Sequence, residues 1–146
     1  MHTPLFTLER SENKNYLIYE LNFRERFIDQ KNPVTVYWDM VENGGKLEPL
    51  NSLEKKRAYG IDIHEVKKDS VVFSILPVPE FKLTVQKRIC RAVNSHYAFW
   101  PNEKDHYVKK IFVHMKSFII IPKIERVDIV LNHCHKQLTK TIVIAE

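Results

Sequence analysis

Few side chains in this sequence have the type and spacing of a chemical site. The cluster that most resembles a metal site is His133-Cys134-His135. In a β-strand the two imidazoles would point the same way, about 6 to 7 Å apart at Cα, which suits two ligands of one ion. Two ligands do not complete a site, and histidines in this position are more often structural or on the surface. We therefore predict no metal and no other cofactor.

The two cysteines, Cys90 and Cys134, allow either one disulfide or two free thiols, and the sequence leaves both open. No catalytic signature surrounds either cysteine, and the carboxylates of the predicted strands occur singly rather than in pairs. The sequence thus identifies no catalytic residue. It favours a binding module over an enzyme.

Four residues form a candidate ligand site: Arg10, Tyr37, Lys56 and Tyr59. The tyrosines would supply walls and the two cations have no core role, so a helix at one end of a barrel would gather all four into a pocket. The predicted function is a non-catalytic, β-barrel-like binding module for a small molecule or a protein partner. A purely structural use of the aromatic residues stays open, because Trp38 lies on the apolar face of its strand.

Basic residues concentrate between residues 82 and 116. This segment holds eight Lys or Arg against two acids, whereas the rest of the chain holds 15 basic and 16 acidic residues. Basic grooves with aromatic side chains are typical of single-strand binding, so nucleic-acid or polyanion binding by this predicted hairpin is the alternative function. We favour a solvated edge hairpin that lysines keep monomeric. The residues that would bind a polyanion are Lys87, Arg88, Arg91, Trp100, Lys109 and Lys110.

The elements that must position these residues are mostly strands. Apolar and polar residues alternate in nine segments, which are residues 5–10, 16–23, 34–40, 61–67, 70–76, 81–93, 107–115, 125–133 and 139–145. Short polar turns between them favour antiparallel pairing. The predicted fold is therefore mainly β, an antiparallel meander barrel or sandwich of about nine strands.

One short helix is predicted from Asn51 to Tyr59. Asn51 and Glu54 have the three-residue spacing of an N-terminal cap. Gly60 follows where a helix can end in a left-handed residue. The helix is expected to pack Leu50 against the sheet.

The composition is that of one folded domain, residues 1–146. A chain with 44% hydrophobic and 28% charged residues is not disordered, and three glycines are too few for the usual dinucleotide- or phosphate-binding loops. The longest apolar run, residues 118–122, is about a quarter of the roughly 20 residues that a membrane helix needs, so no membrane insertion is expected. The N-terminus lacks a secretory-signal pattern, so the cytoplasm is the default location and export the alternative if a signal was removed.

Residues 33–60 resemble a known family. The pattern PVxVYWxM begins at Pro33, and the pattern GGxxxPLxxLExKxAYG begins at Gly44. Together they are similar to a family of small bacterial domains of unknown function. The resemblance implies a fold unit rather than an activity. It also implies that export is possible, since several members of that family begin with export signals.

Overall fold

The structure is a computed structural model that describes residues 2–11, 13–57, 59–75, 78–116 and 123–145. Within these residues the chain is mainly β, with one six-residue helix, α1 (Ser52–Arg57), and one 3-10 turn (Val41–Asn43). The strands are β1 (His2–Arg10), β2 (Asn13–Arg24), β3 (Phe27–Ile28), β4 (Val34–Met40), β5 (Lys46–Pro49), β6 (Ile61–Val66), β7 (Ser70–Ile75), β8 (Leu83–Cys90), β9 (Val93–Phe99), β10 (His106–Lys116), β11 (Lys123–His133) and β12 (Thr139–Ala145).

Nine of these strands form a curled sheet that makes a half-barrel, in the order β5-β4-β2-β1-β10-β9-β8-β7-β6. The predicted mainly β barrel or sandwich is confirmed. The strands β11 and β12 extend the sheet from β10, and β3 pairs with β2. One pairing departs from an antiparallel meander, because β1 runs parallel to β10 with Thr7 opposite Lys110. The whole segment from β2 to β9 separates these two strands in the chain, so no hairpin sets their relative direction.

All nine predicted strands are present, but the predicted strand over residues 81–93 extends too far. Strand β8 ends at Cys90, and Arg91 and Ala92 form a turn with φ angles of 48° and 66° before β9 begins. Side-chain-bearing residues seldom adopt these angles, and neither residue is the Gly or Asn that usually marks such a turn. The predicted basic hairpin is consequently part of three strands, β8, β9 and β10.

The main core fills the inside of the half-barrel. Alternate residues of each strand face it, as in β2, where Leu17, Tyr19 and Leu21 are fully buried. The largest apolar side chains of β1 and β7 join them, and Phe6 stacks on Phe73 with ring centroids 6.3 Å apart. This continuous core holds the ends of the strands, and therefore the site described below, in fixed positions.

A second, smaller cluster lies around a disulfide bond between Cys90 and Cys134. Phe99 is buried against the two cysteines, and Tyr97 and Tyr107 pack on the same cluster. The structure thus decides between the two possibilities that the sequence left open, because the cysteines are paired.

Helix α1 joins the two ends of the curled sheet. Strand β5 is first in the sheet order and β6 is last, yet they are consecutive in the chain with α1 between them. The curl of the sheet therefore brings its two edges within the reach of the eleven residues 50–60. In the described part of the chain, no helix is long and apolar enough to cross a membrane.

The predicted helix cap is confirmed. The Glu54 N–H donates to Asn51 Oδ1 at 2.8 Å, and the Asn51 N–H donates to Glu54 Oε1 at 2.9 Å. Leu50, just before the cap, is 5% exposed and packs in the main core as expected. The prediction that Gly60 ends the helix in a left-handed conformation is wrong, because the glycines with positive φ are Gly44 and Gly45. A Cβ on Gly60 would lie 1.9 Å from the Lys55 carbonyl oxygen, so close backbone approach explains the glycine.

Candidate functional site

A cleft of about 310 Å³ opens beside α1 at one end of the half-barrel. This volume is at the lower end of the roughly 300–1,000 Å³ that small-molecule sites occupy. Its lining residues come from β1, β2, β4, β5 and the start of α1, and they are Arg10, Asn15, Trp38, Met40, Glu48, Pro49, Asn51 and Glu54.

Arg10 is the cation of this cleft. It follows Phe6 and Leu8 on the inward side of β1, so strand alternation turns its side chain toward the mouth of the half-barrel. Its Nη1 donates to the Tyr59 hydroxyl at 3.2 Å, and its Cζ lies 4.6 Å from the centre of the Trp38 ring. Among the described residues, the buried Nε of Arg10 has no hydrogen-bond partner. The guanidinium is fixed in place by two rings while most of its five N–H donors are unused by described residues.

Tyr59 is itself anchored through its backbone. Its N–H donates to the Glu54 carbonyl at 3.0 Å, and its carbonyl accepts a bond of 2.8 Å from the Tyr19 hydroxyl. Complete burial raises the pKa of Tyr19, so that hydroxyl stays a donor. The edge-to-face contact between Tyr59 and Trp38 has ring centroids 5.6 Å apart. Arg10 is therefore held by groups that are part of the core, which is the arrangement that pre-organises a binding residue.

Two carboxylates complete the charged lining. Both oxygens of Glu54 accept from Trp38 Nε1, at 3.3 and 3.2 Å, so the carboxylate that caps α1 also orients the tryptophan. Glu48 lies on the edge strand β5, and its side chain is 40% exposed in an ion pair of 3.6 Å with Lys46. Exposed pairs of this kind are weak, so Glu48 can exchange Lys46 for another cation at little cost in free energy.

The structure brings two of the four predicted ligand residues together, Arg10 and Tyr59. Tyr37 lies on the other face of β4, where its hydroxyl donates to Glu20 Oε2 at 2.5 Å. Burial and this bond raise the pKa of Tyr37 to about 12, which keeps the phenol neutral. The side chain of Lys56 lies outside the described residues.

The sequence reasoning missed Trp38 and Glu54 as cleft residues. Trp38 is a core residue as predicted, at 7% exposed, and Glu54 is the capping residue as predicted. Their second role depends on where α1 begins relative to β4. Only the tertiary fold sets that distance, and the local pattern carries no signal of it.

The residues predicted to bind a polyanion are spread over the sheet. Trp100 is 5% exposed and stacks on Phe81 with ring centroids 4.7 Å apart, so its ring is closed to a nucleic-acid base. Lys87 pairs with His96 and the next residue, Arg88, pairs with Ser95, which places the two cations on opposite faces of β8.

Three of the predicted cations contact other parts of the protein. Arg88 lies over the Phe99 ring, with Cζ 4.4 Å from its centre. Arg91 Nε donates to the His133 carbonyl at 3.2 Å, and Lys110 pairs with Glu9 at 2.9 Å. The remaining two lysines, Lys87 and Lys109, are exposed.

The histidine cluster has a structural contact in the loop after β11. His133 Nδ1 accepts the backbone N–H groups of His135 and Lys136, each at 3.0 Å. The proton of the neutral His133 ring is then on Nε2, which leaves no free lone pair for a metal. Within the described ranges, no group of three or more His, Cys, Asp or Glu could hold a metal ion.

The lowered pKa of His133 leads us to expect that the protein is less stable in acid. Partial desolvation, aided by nearby His106, lowers the pKa of His133 below its ordinary 6.5. Burial likewise lowers the pKa of His96. Folding thus favours the neutral rings of both histidines. Their contribution to the free energy of unfolding is complete above about pH 6.5 and is lost as the pH falls through their lowered pKa values. We expect the urea midpoint of the wild type to be lower at pH 5 than at pH 7.5.

The variant His133→Asn tests this assignment, because an asparagine side chain keeps an acceptor for the two backbone N–H groups and does not titrate. The difference between the midpoints at pH 5 and pH 7.5 should shrink, with the His96 part remaining. His135→Gln is the comparison variant, since that side chain is 63% exposed and makes the smallest contribution to the lowered pKa of His133, so most of the pH dependence should remain. An unchanged pH dependence in His133→Asn would show that the ring does not couple to folding.

Comparison with known proteins gives a family but no characterised relative. A family model described as "Domain of unknown function (DUF4833)" matches residues 6–142, which include every residue of the cleft. No curated protein and no solved structure matches the chain. The match agrees with the resemblance to domains of unknown function that the sequence shows.

Proposed function

The chain belongs to the DUF4833 family of domains of unknown function, and we propose that it is a non-catalytic binding module whose cleft takes a small ligand that carries a carboxylate. The observation that supports this proposal is the clamped guanidinium of Arg10. It contacts Trp38 and Tyr59 and lines the cleft, and among the described residues its one side-chain hydrogen bond is from Nη1 to Tyr59. A planar guanidinium binds a carboxylate through two parallel hydrogen bonds.

The variant Arg10→Lys tests the proposal. Lysine keeps the charge but cannot form the paired hydrogen bonds of a guanidinium, so we expect a carboxylate ligand to bind about 10 to 100 times more weakly. Ligands are first sought by thermal shift in a panel of short-chain carboxylates, aromatic carboxylates and amino acids. Dissociation constants are then measured by calorimetry with the wild type and the variant.

Arg126→Lys is the matched control, because Arg126 is half-exposed on β11 and pairs with Asp128 at 3.4 Å rather than lining the cleft. It should bind the same ligands as tightly as the wild type. Equal affinity of Arg10→Lys and the wild type would contradict the proposed role of Arg10. Lys56, a predicted ligand residue that lies within α1, stays a prediction for a separate variant.

The proposed location is an oxidising compartment outside the cytosol. The support for it is the Cys90–Cys134 disulfide, since such bonds persist in oxidising compartments and are rare in the cytosol. This location agrees with the export that the family resemblance implies. It also fits a module that binds a small ligand outside the cell interior.

Polyanion binding stays the alternative prediction. In the described part of the chain no specific contact favours it, because Trp100 is buried and three of the five predicted cations contact other parts of the protein. Including an oligonucleotide in the thermal-shift panel at low and high salt would detect it, since counterion release makes such binding strongly salt-dependent.

A further inference from the structure

We propose, on the basis of the proposed function, that the cleft beside Arg10 selects zwitterions, with amino acids or very short peptides bearing an apolar side chain as the ligand class. This step is argued from the charges of the lining, which holds both positive and negative side chains. One cation, Arg10, shares the cleft with two carboxylates, Glu48 and Glu54.

A simple anion is poorly matched to this lining. Arg10 attracts it, but the two carboxylates of the same cleft repel it, and the lining residues carry a formal charge of −1 before the exposed Lys46 beside Glu48 is counted. A ligand that carries an ammonium group next to its carboxylate meets an opposite charge with each group, its carboxylate at Arg10 and its ammonium at the two glutamates. Charge complementarity of this kind supplies specificity as well as attraction.

The amides of the cleft add donors for the ligand carboxylate. Asn15 Oδ1 accepts the Glu42 N–H at 3.1 Å, and Asn51 Oδ1 accepts the Glu54 N–H at 2.8 Å. The polar group that each side chain can still offer is its NH₂. Donors from Arg10 and from both amides therefore line the same cleft as the two carboxylates.

The rest of the lining is apolar and indicates the kind of side chain that fits. Met40 and Pro49 join Trp38 in the wall. The Trp38 ring is 7% exposed and already contacts Arg10 and Tyr59, so it does not offer an open face for stacking a sugar. The volume of about 310 Å³ is of the size that small-molecule sites have.

Three ligands that share a phenylethyl group test the proposal: L-phenylalanine, 3-phenylpropionate without the amine and 2-phenylethylamine without the carboxylate. Calorimetry with the full chain should show L-phenylalanine binding at least about 10 times more tightly than either partial ligand, because each lacks one opposite-charge contact. Glu48→Gln should weaken L-phenylalanine several-fold and leave 3-phenylpropionate unchanged or tighter. Glu48 lies half-exposed on an edge strand, so this variant is expected to fold.

The outcomes separate this proposal from the function on which it rests. If 3-phenylpropionate binds as tightly as L-phenylalanine, the zwitterion proposal is overturned and carboxylate binding by Arg10 stands. If Glu48→Gln weakens both ligands equally, the role of Glu48 in recognising the ammonium is overturned. If none of the three binds at about 10 mM, well above the roughly 1 mM of a weak specific complex, the proposed ligand class is wrong. The proposed function is then decided by Arg10→Lys with the wider carboxylate panel.

Discussion

Removal of the Cys90–Cys134 disulfide is expected to lower the free energy of unfolding by about 4 kcal/mol. The bond closes a loop across a sequence separation of 44 residues, and in the chain-entropy model a loop of that size restricts the unfolded state by about this amount. It also ties the turn at Arg91 to the loop after β11, where the Arg91 N–H donates to the Cys134 carbonyl at 2.9 Å. For a chain of this length the melting temperature should fall by roughly 8 to 16 °C.

The double variant Cys90→Ala, Cys134→Ala measures this effect by urea unfolding, with no hydroxyl introduced into the buried cluster. Wild type in excess reductant should unfold at nearly the same urea concentration as the variant, and reductant should not affect the variant. A double variant within about 1 kcal/mol of the wild type would show that the disulfide is not a main support of this end of the sheet.

Gly60→Ala is expected to cost about 3 kcal/mol, at the upper end of the usual range for overpacking. The added Cβ would lie 1.9 Å from the Lys55 carbonyl oxygen, which is backbone and cannot rotate away. Relief requires the end of α1 to move, together with Tyr59 and its bonds to Tyr19 and Arg10. Carboxylate binding should therefore weaken along with stability, as measured by thermal melting and calorimetry.

Gly44→Ala is the control for Gly60→Ala. Gly44 has φ of 70°, but a Cβ added there would have no atom within 4 Å, so its alanine variant carries only the cost of a left-handed residue, about 1 to 2 kcal/mol. The control should keep its ligand affinity, because Gly44 does not line the cleft. A Gly60→Ala variant no less stable than Gly44→Ala would contradict the close approach at Lys55.

The alternation of apolar residues predicts the strands of this fold well, because a half-barrel buries one face of each strand. It predicts both bounds of β4 and β12. The hairpin at Arg91 and Ala92 escapes it because those residues adopt positive φ without the glycine or asparagine that would mark a turn. Alternation does not predict the parallel pairing of β1 with β10, because it shows which face of a strand is buried and not which strand lies next to it.

The candidate site likewise has features that the sequence pattern predicts and features that depend on the tertiary fold. The contact between Arg10 and Tyr59 agrees with their predicted proximity, because neither the cation nor the turn after α1 fits an ordinary apolar strand, and their role in ligand binding stays a prediction. Tyr37 could not be separated from them, since only the register of β4 on β2 shows that it faces Glu20. The contact of Glu54 with Trp38 depends on how far the sheet curls before α1 crosses between its edges, and no local pattern records that distance.

The indole N–H signals in a ¹H–¹⁵N spectrum test ligand binding in the cleft most directly. The chain has two tryptophans, so Trp38 in the cleft and Trp100 in the core against Phe81 give one signal each. On addition of L-phenylalanine, the Trp38 signal should move progressively to saturation, because its N–H bonds Glu54 beside Arg10, while the Trp100 signal stays in place. A titration in which the Trp38 signal does not move, or in which only Trp100 responds, would contradict binding in this cleft.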